Sequence, residues 1–352
     1  MIGRPLLAPS VGLWAFLTLA GCASLPENVE RPASYAFADT YSTVLGQANV
    51  ARQLEYPGKT AFYLLSNGLD AFVARAVLAQ YAERSIDAQY YILHNDLTGR
   101  LFVDQLLKAA DRGVRVRLLL DDLDAGDKDL PLAAVDRHPN VEIRVFNPFA
   151  RSAIRATQFV TRLNEVGRRM HSKSFTVDNQ YAIVGGRNIG NEYFEADPEI
   201  DYTDLDVVAA GPLARTVSTA FDEYWNSPLA YPISALVATP PTPQEVEDLR
   251  VRLAEFVEEQ TDSPYLRALQ NSKIANELRK GKLDYQEAAG EILYDPPEKL
   301  LEERGKSERY VTWQLGRHLD EVREELIIFS PYFVPGNDGV AYLRAMCERG
   351  YA

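Results

Sequence analysis

The stretch Met170–Gly190 reads MHSKSFTVDNQYAIVGGRNIG, and it decides how the rest of the chain is read. Ser172 separates His171 from Lys173, so on an extended backbone the imidazole and the ammonium point to one side. That pairing suits attack on a phosphoryl group and neutralisation of its charge. Asn188 adds a neutral donor for a phosphate oxygen. Gly185 and Gly186 remove side chains where a backbone must come close, either to a substrate or to another strand. His171–Val177 and Tyr181–Val184 form a strand pair across the polar turn Asp178-Asn179-Gln180. Asp178 lies an odd number of residues from His171, off the catalytic face, and reads as a turn-stabilising or supporting group.

Outward from this pair the chain alternates strands and helices. Ala71–Ala82 is helical by the spacing of Phe72, Val73, Val77 and Leu78. Ser85–Leu93 reads as a strand, Arg100–Arg112 as a helix closed by Gly113, Val114–Leu120 and Val141–Val145 as strands. Asp204–Ala209 is a further strand, and Leu213–Trp225 a helix with Val217, Phe221 and Tyr224 on one face. The fold class is α/β, a mixed sheet flanked by helices. Asp121 and Asp122 end a strand and read as turn residues, with a place near a site as the alternative. Composition breaks at Pro240, Pro241 and Pro243, and the charged Glu245–Lys282 reads as a helical insert.

A repeat runs through the chain. Ile86–Ile92 (IDAQYYI) has a counterpart in Ile328–Val334 (IFSPYFV), and each precedes a helix ending in charged residues and glycine, at Gly113 and at Gly350. The simplest organisation is a duplicated lobe whose second copy begins near Tyr310. The chain has 4 histidines, and only His171 is followed two residues on by lysine. His94, His138 and His318 read as strand-end, loop and helix-surface residues. Tyr90, Tyr91, Tyr332 and Phe333 are expected in the sheet core, with contact of one of them to acyl chains as the alternative.

The spacing H-x-K-x4-D-x6-G-G-x-N resembles the signature of the phospholipase D superfamily at every specified position. The surrounding text, from the QYYI strand through RGVRVRLLLDD to SPYFVPG, is similar to bacterial cardiolipin synthases. The resemblance covers Ala71 to Gly350. It implies the phospholipase D-type sheet, with one complete lobe and the start of a second. It also implies a two-step, metal-free and cofactor-free transfer in which His171 attacks phosphorus to give a phosphohistidine. Lys173 and Asn188, with Gly185 and Gly186 beside them, would hold the phosphate oxygens. Asp178 belongs to the signature's catalytic set. Asp204 would fix the imidazole tautomer, with Asp206 a weaker alternative. Relatives unite two such motifs in one site, so this chain is expected to be truncated before the second. Phosphatidyl transfer forming cardiolipin is the leading expectation. An inactive lipoprotein, or a nuclease completed as a homodimer, are the alternatives.

The first residues resemble a bacterial lipoprotein signal. An apolar run, Val11–Ala20, leads into Leu19-Ala20-Gly21-Cys22. This implies a signal peptide over 1–21, lipidation of Cys22 and, with Ala23 following, attachment to the periplasmic side of the outer membrane. A tether over 22–60, a first lobe over 61–239, a helical insert over 240–307 and a partial second lobe over 308–352 complete the expected organisation. The partners expected are phospholipids and the membrane. Net charge is -13, a poor field for nucleic acid. Arg151, Arg155, Arg162, Arg168 and Arg169 read equally as a basic rim for anionic head groups and as a solvated loop.

Overall fold

The computed structural model describes residues 25–125, 128–151, 169–280, 283–301, 307–328, 330 and 333–349. The chain divides into two units after Ile292.

In the first unit, helix α1 (Val44–Glu55) precedes β1 (Thr60–Leu65), α2 (Gly68–Tyr81), β2 (Ser85–Tyr90), α3 (Leu97–Asp111) and β3 (Arg115–Asp121). Then follow α4 (Asp129–Val135), β4 (Val141–Phe146), β5 (Ser174–Val177), β6 (Tyr181–Gly185), β7 (Asp206–Ala210) and α5 (Pro212–Trp225). The unit continues through β8 (Ala230–Pro232), α6 (Pro243–Gln260), α7 (Pro264–Gln270), α8 (Lys273–Arg279) and β9 (Gln286–Ala288). The nine strands make one sheet in the order β8-β4-β3-β2-β5-β6-β7-β1-β9. Strands β2, β3 and β4 are parallel and the other pairings antiparallel.

All six residues of β2 are buried, as expected for a strand covered on both faces. One face carries Ile86, Ala88, Val116, Leu118 and Phe175 into the main core. There Phe102 of α3 meets Tyr90 and Phe175 edge to face, at 5.6 and 5.8 Å. The other face carries ions. Arg117 bonds Asp87 at 2.7 Å and Asp222 of α5 at 2.7 Å, and its guanidinium lies 4.9 Å from the Phe221 ring.

This polar face corrects the expected tether over 22–60. The buried guanidiniums of Arg117 and Arg144 have more donors than the neighbouring strands can accept. The chain before α1 supplies the missing acceptors: Arg117 donates to Ser34 O at 2.8 Å and Arg144 to Pro32 O at 2.7 Å. Asn49 of α1 then donates to Gln180 O at 2.8 Å. Residues from Pro32 onward are therefore part of the lobe.

The boundary expected at 239 also moves. Ile274 N donates to Asp70 Oδ1 at 2.8 Å, Tyr265 OH to Phe194 O at 3.1 Å, and β9 pairs with β1 at the sheet edge. The helical insert folds back onto the sheet, because β1 otherwise presents an open edge.

The second unit contains α9 (Val311–Leu319) and α10 (Gly336–Glu348), joined by Tyr342 OH donating to Asp320 Oδ1 at 2.6 Å. His318 is exposed on α9, as expected. The strand expected at Ile328–Val334 is not present among its described residues, and Tyr332 lies outside them. Phe333 is exposed rather than in a core. A strand is held by ladder bonds to a neighbour, and the described residues of this unit contain no other strand to supply them.

Candidate active site

Residues 169–173 run into β5 as irregular chain. Buried Asp121, at the end of β3, holds this approach in place. It accepts from Met170 N at 2.9 Å, Leu123 N at 2.9 Å and Arg169 Nη1 at 3.2 Å. Burial pushes its carboxyl up to about 6, against the opposing pull of Arg169. The sequence left Asp121 between a turn role and a place near the site, and the structure puts it beside the site, at the carboxyl end of a buried parallel strand.

His171 and Lys173 come together as their spacing requires. Lys173 is buried, and its Nζ donates to His171 O at 2.6 Å and lies 3.2 Å from His171 Nδ1. The ring of Tyr91 lies 4.7 Å from the imidazole and 5.2 Å from the ammonium, so Tyr91 belongs to the site and not to the core. Partial burial and the Lys173 charge hold His171 below its ordinary value, opposed by Asp204. Burial pushes Lys173 down to about 8, opposed by Asp204, Asp121 and Asp206. At neutral pH the imidazole is the base and the ammonium keeps its charge. An ammonium can only donate, so Nδ1 accepts and the ring proton rests on Nε2.

Asp204 stands near His171 electrostatically, but among the described residues no hydrogen bond joins them. Its Oδ1 accepts from Leu205 N at 2.8 Å. Asp206, the weaker alternative, is committed elsewhere: it is buried and bonds Arg75 at 2.9 Å. The two glycines serve this strand rather than a phosphate. A Cβ on Gly185 would lie 2.0 Å from Asp206 Oδ1, and one on Gly186 would lie 2.2 Å from each Asp204 oxygen.

Two further expectations change. Asp178 does not join the catalytic group. It sits at the far end of β5 with φ 52° and accepts from the N–H groups of Arg84, Ser85 and Glu83 at 2.8, 2.9 and 3.1 Å. It ties the β5–β6 turn to the start of β2, and burial still raises its pKa. Asn188 is largely occupied: Oδ1 accepts from Ile92 N at 3.1 Å and Nδ2 donates to Tyr193 OH at 2.9 Å. One amide proton remains for a phosphate oxygen.

Of the expected basic rim, Arg151 is paired with Asp122 and Asp129, and Arg169 is bonded to Asp121 and lies over Phe149. Arg155, Arg162 and Arg168 lie outside the described residues, as does Cys22. His138 bonds Asp111 at 3.1 Å. His94 ends the β2 segment with Nδ1 3.3 Å from Glu192 Oε1 and 3.9 Å from Asp96 Oδ2. These three could together offer ligands to a cation. Asp96 already accepts from Gly99 N and Asn191 N, and His94 answers the charge of Glu192 when protonated.

Residues 77–225 match the family described as cardiolipin synthase, PLD-like domain. The chain is 40% identical over 299 residues to cardiolipin synthase C of Escherichia coli K12, covering 84% of this chain and 62% of that one. An uncharacterized protein of Helicobacter pylori 26695 is 30% identical over 339 residues, 94% of this chain and 65% of its own length. Among solved structures, the fold is similar to phosphatidylserine synthase of Haemophilus influenzae Rd KW20. There the TM-score is 0.52 at 13% identity, covering 86% of this chain and 64% of that one. The chain thus spans less than two thirds of each of these relatives. With the spaced signature, the sheet and the His171–Lys173 pair in agreement, residues 77–225 are a phospholipase D-like domain of the cardiolipin synthase type.

Proposed function

We propose that the first lobe supplies the nucleophilic half of a phosphodiester-transfer site acting on membrane phospholipids, with cardiolipin as product. The observation that carries this reading is an imidazole held beside a buried ammonium, with Nζ 3.2 Å from Nδ1. An incoming phosphate draws Lys173 and the remaining Asn188 proton to its non-bridging oxygens. Nδ1, no longer an acceptor for Lys173, takes the ring proton towards Asp204. The Nε2 lone pair then attacks phosphorus, the P–O bond to the leaving alcohol breaks, and a phosphohistidine forms. A second alcohol gives its proton to the group that protonated the leaving alkoxide, attacks phosphorus, breaks the P–N bond and returns the lone pair to Nε2.

The leaving alkoxide needs a proton, and the chain's one H-x-K does not supply a second histidine for it. That group comes from another lobe, contributed by a second copy of the chain. Lipidation of Cys22 would hold the site at the periplasmic face of the outer membrane, within reach of phospholipid head groups.

The test uses purified full chain and phosphatidylglycerol vesicles. Mass spectrometry should find cardiolipin and glycerol, and an acid-labile adduct on His171 after rapid quenching. His171→Ala should remove both. Equal product from wild type and His171→Ala, or no adduct and no product from wild type, refutes the reading.

A further inference from the structure

A cleft of about 350 Å³ opens between α3, α4 and α6, lined in part by Leu93 and His94. These residues follow Tyr91, whose ring meets His171, and His94 N bonds Ile189 O next to Asn188. The cleft therefore lies beside the catalytic end of the sheet.

Its chemistry is two-sided. Val103, Leu132, Val135, Leu249 and Leu253 make an apolar wall, while Arg100, Lys128 and Arg252 add positive charge. In a chain with 50 acidic and 37 basic residues, no carboxylate among the described residues lines this cleft. Leu249, Arg252 and Leu253 stand at i, i+3 and i+4 on one face of α6. Lys128 is already answered, donating to Leu93 O at 2.8 Å and to Asp124. Among the described residues, Arg100 is held by neutral groups, bonding Asn95 Oδ1 at 3.0 Å with its guanidinium 4.6 Å from the Phe256 ring. Arg252 is exposed. Among the described residues neither Arg100 nor Arg252 has an ion pair. Two uncompensated guanidiniums at the edge of an apolar cleft fit a bidentate oxyanion carrying a hydrocarbon tail.

We infer that this cleft binds an anionic lipid, its phosphate at Arg100 and Arg252 and its chain along the α3–α4–α6 wall. The lipid's identity as substrate rests on the proposed phospholipid chemistry; the binding does not, because the cleft contains neither His171 nor Lys173. Calorimetric titration of the full chain with dodecyl phosphate, kept below its micelle-forming concentration, tests it. One site should fill, with inorganic phosphate and dodecyl maltoside each at least about tenfold weaker. Arg252→Glu should weaken dodecyl phosphate at least about tenfold. Leu249→Trp, at a partly exposed position, should block it by filling the cleft, and His171→Ala should leave it unchanged. Equal binding of either control overturns the inference, since a bare anion patch or a bare apolar groove would then suffice. So does indifference to Arg252→Glu and Leu249→Trp, or loss of binding in His171→Ala. If the cleft variants behave as stated while vesicles yield neither cardiolipin nor adduct, the transfer reading fails and the cleft stands.

Discussion

Lys173→Met should make the protein more stable while removing the proposed chemistry. Lys173 is 7% exposed, and burial carries its pKa from the ordinary 10.5 to about 8. That difference corresponds to about 3 kcal/mol of disfavour for the charged form in the folded state. Methionine is of similar length and carries no charge. Against the gain stands the bond from Nζ to His171 O at 2.6 Å, worth about 1–2 kcal/mol; water can replace this donor at the exposed His171. The balance is about 1–2 kcal/mol in favour of the variant at pH 7, or roughly 2–6 °C in Tm.

The pH dependence supplies the sharper check. The folded state holds the lysine proton less tightly than the unfolded chain does. The cost is thus fully present below about 8 and fades as pH rises from about 8 towards 10.5. Wild-type stability should rise relative to Lys173→Met across that window, and the gap between the two should close. Urea melts of both proteins at a series of pH values measure it. A variant less stable than wild type at pH 7, or a gap that does not shrink above pH 8, refutes the reasoning. Activity points the other way, since the removed charge is the one proposed to neutralise the phosphate.

Asp178→Ala leaves three backbone N–H groups without their acceptor and should cost about 3 kcal/mol in urea melts, while the fraction that stays folded keeps an unaltered His171 titration. Gly186→Ala drives a methyl into the Asp204 carboxylate, so cardiolipin formation should fall at least about tenfold, and Asp204→Gly in the same chain should restore the fold without restoring the rate. The His171 imidazole should titrate below 6.5 by NMR and move up towards 6.5 in Lys173→Met, because that substitution removes one of the two causes holding it down; a titration above 6.5 in wild type would contradict the geometry.

Much of the fold was legible because its signals are local. Alternation and length identified β2, β3, β5 and β6, and periodicity identified α2, α3 and α5 with boundaries close to those observed. The readings that failed depend on what lies opposite in space. Residues 32–60 look like a polar tether until the buried guanidiniums of Arg117 and Arg144 are seen to need their carbonyls. The insert looks separate until β9 closes the edge of β1. Among the described residues of Ile328–Val334 no strand forms; a strand also needs a partner, which local pattern cannot reveal.

The site divides along the same line. The spacing of His171 and Lys173 by itself pointed to an adjacent imidazole and ammonium, although both lie on the irregular approach to β5 and the strand starts only at Ser174. Parity also placed Asp178 apart from that pair. Only the tertiary structure decided what each supporting residue does. Gly185 and Gly186 admit the carboxylates of Asp206 and Asp204, Asn188 clamps Ile92 to Tyr193, Asp121 anchors Met170 from the end of β3, and Tyr91 turns from the core to the imidazole. The physical reason is that proximity along a short stretch of chain follows from covalent connection. Burial, pairing and charge compensation depend on residues scores of positions away, and those meet only when the sheet is assembled.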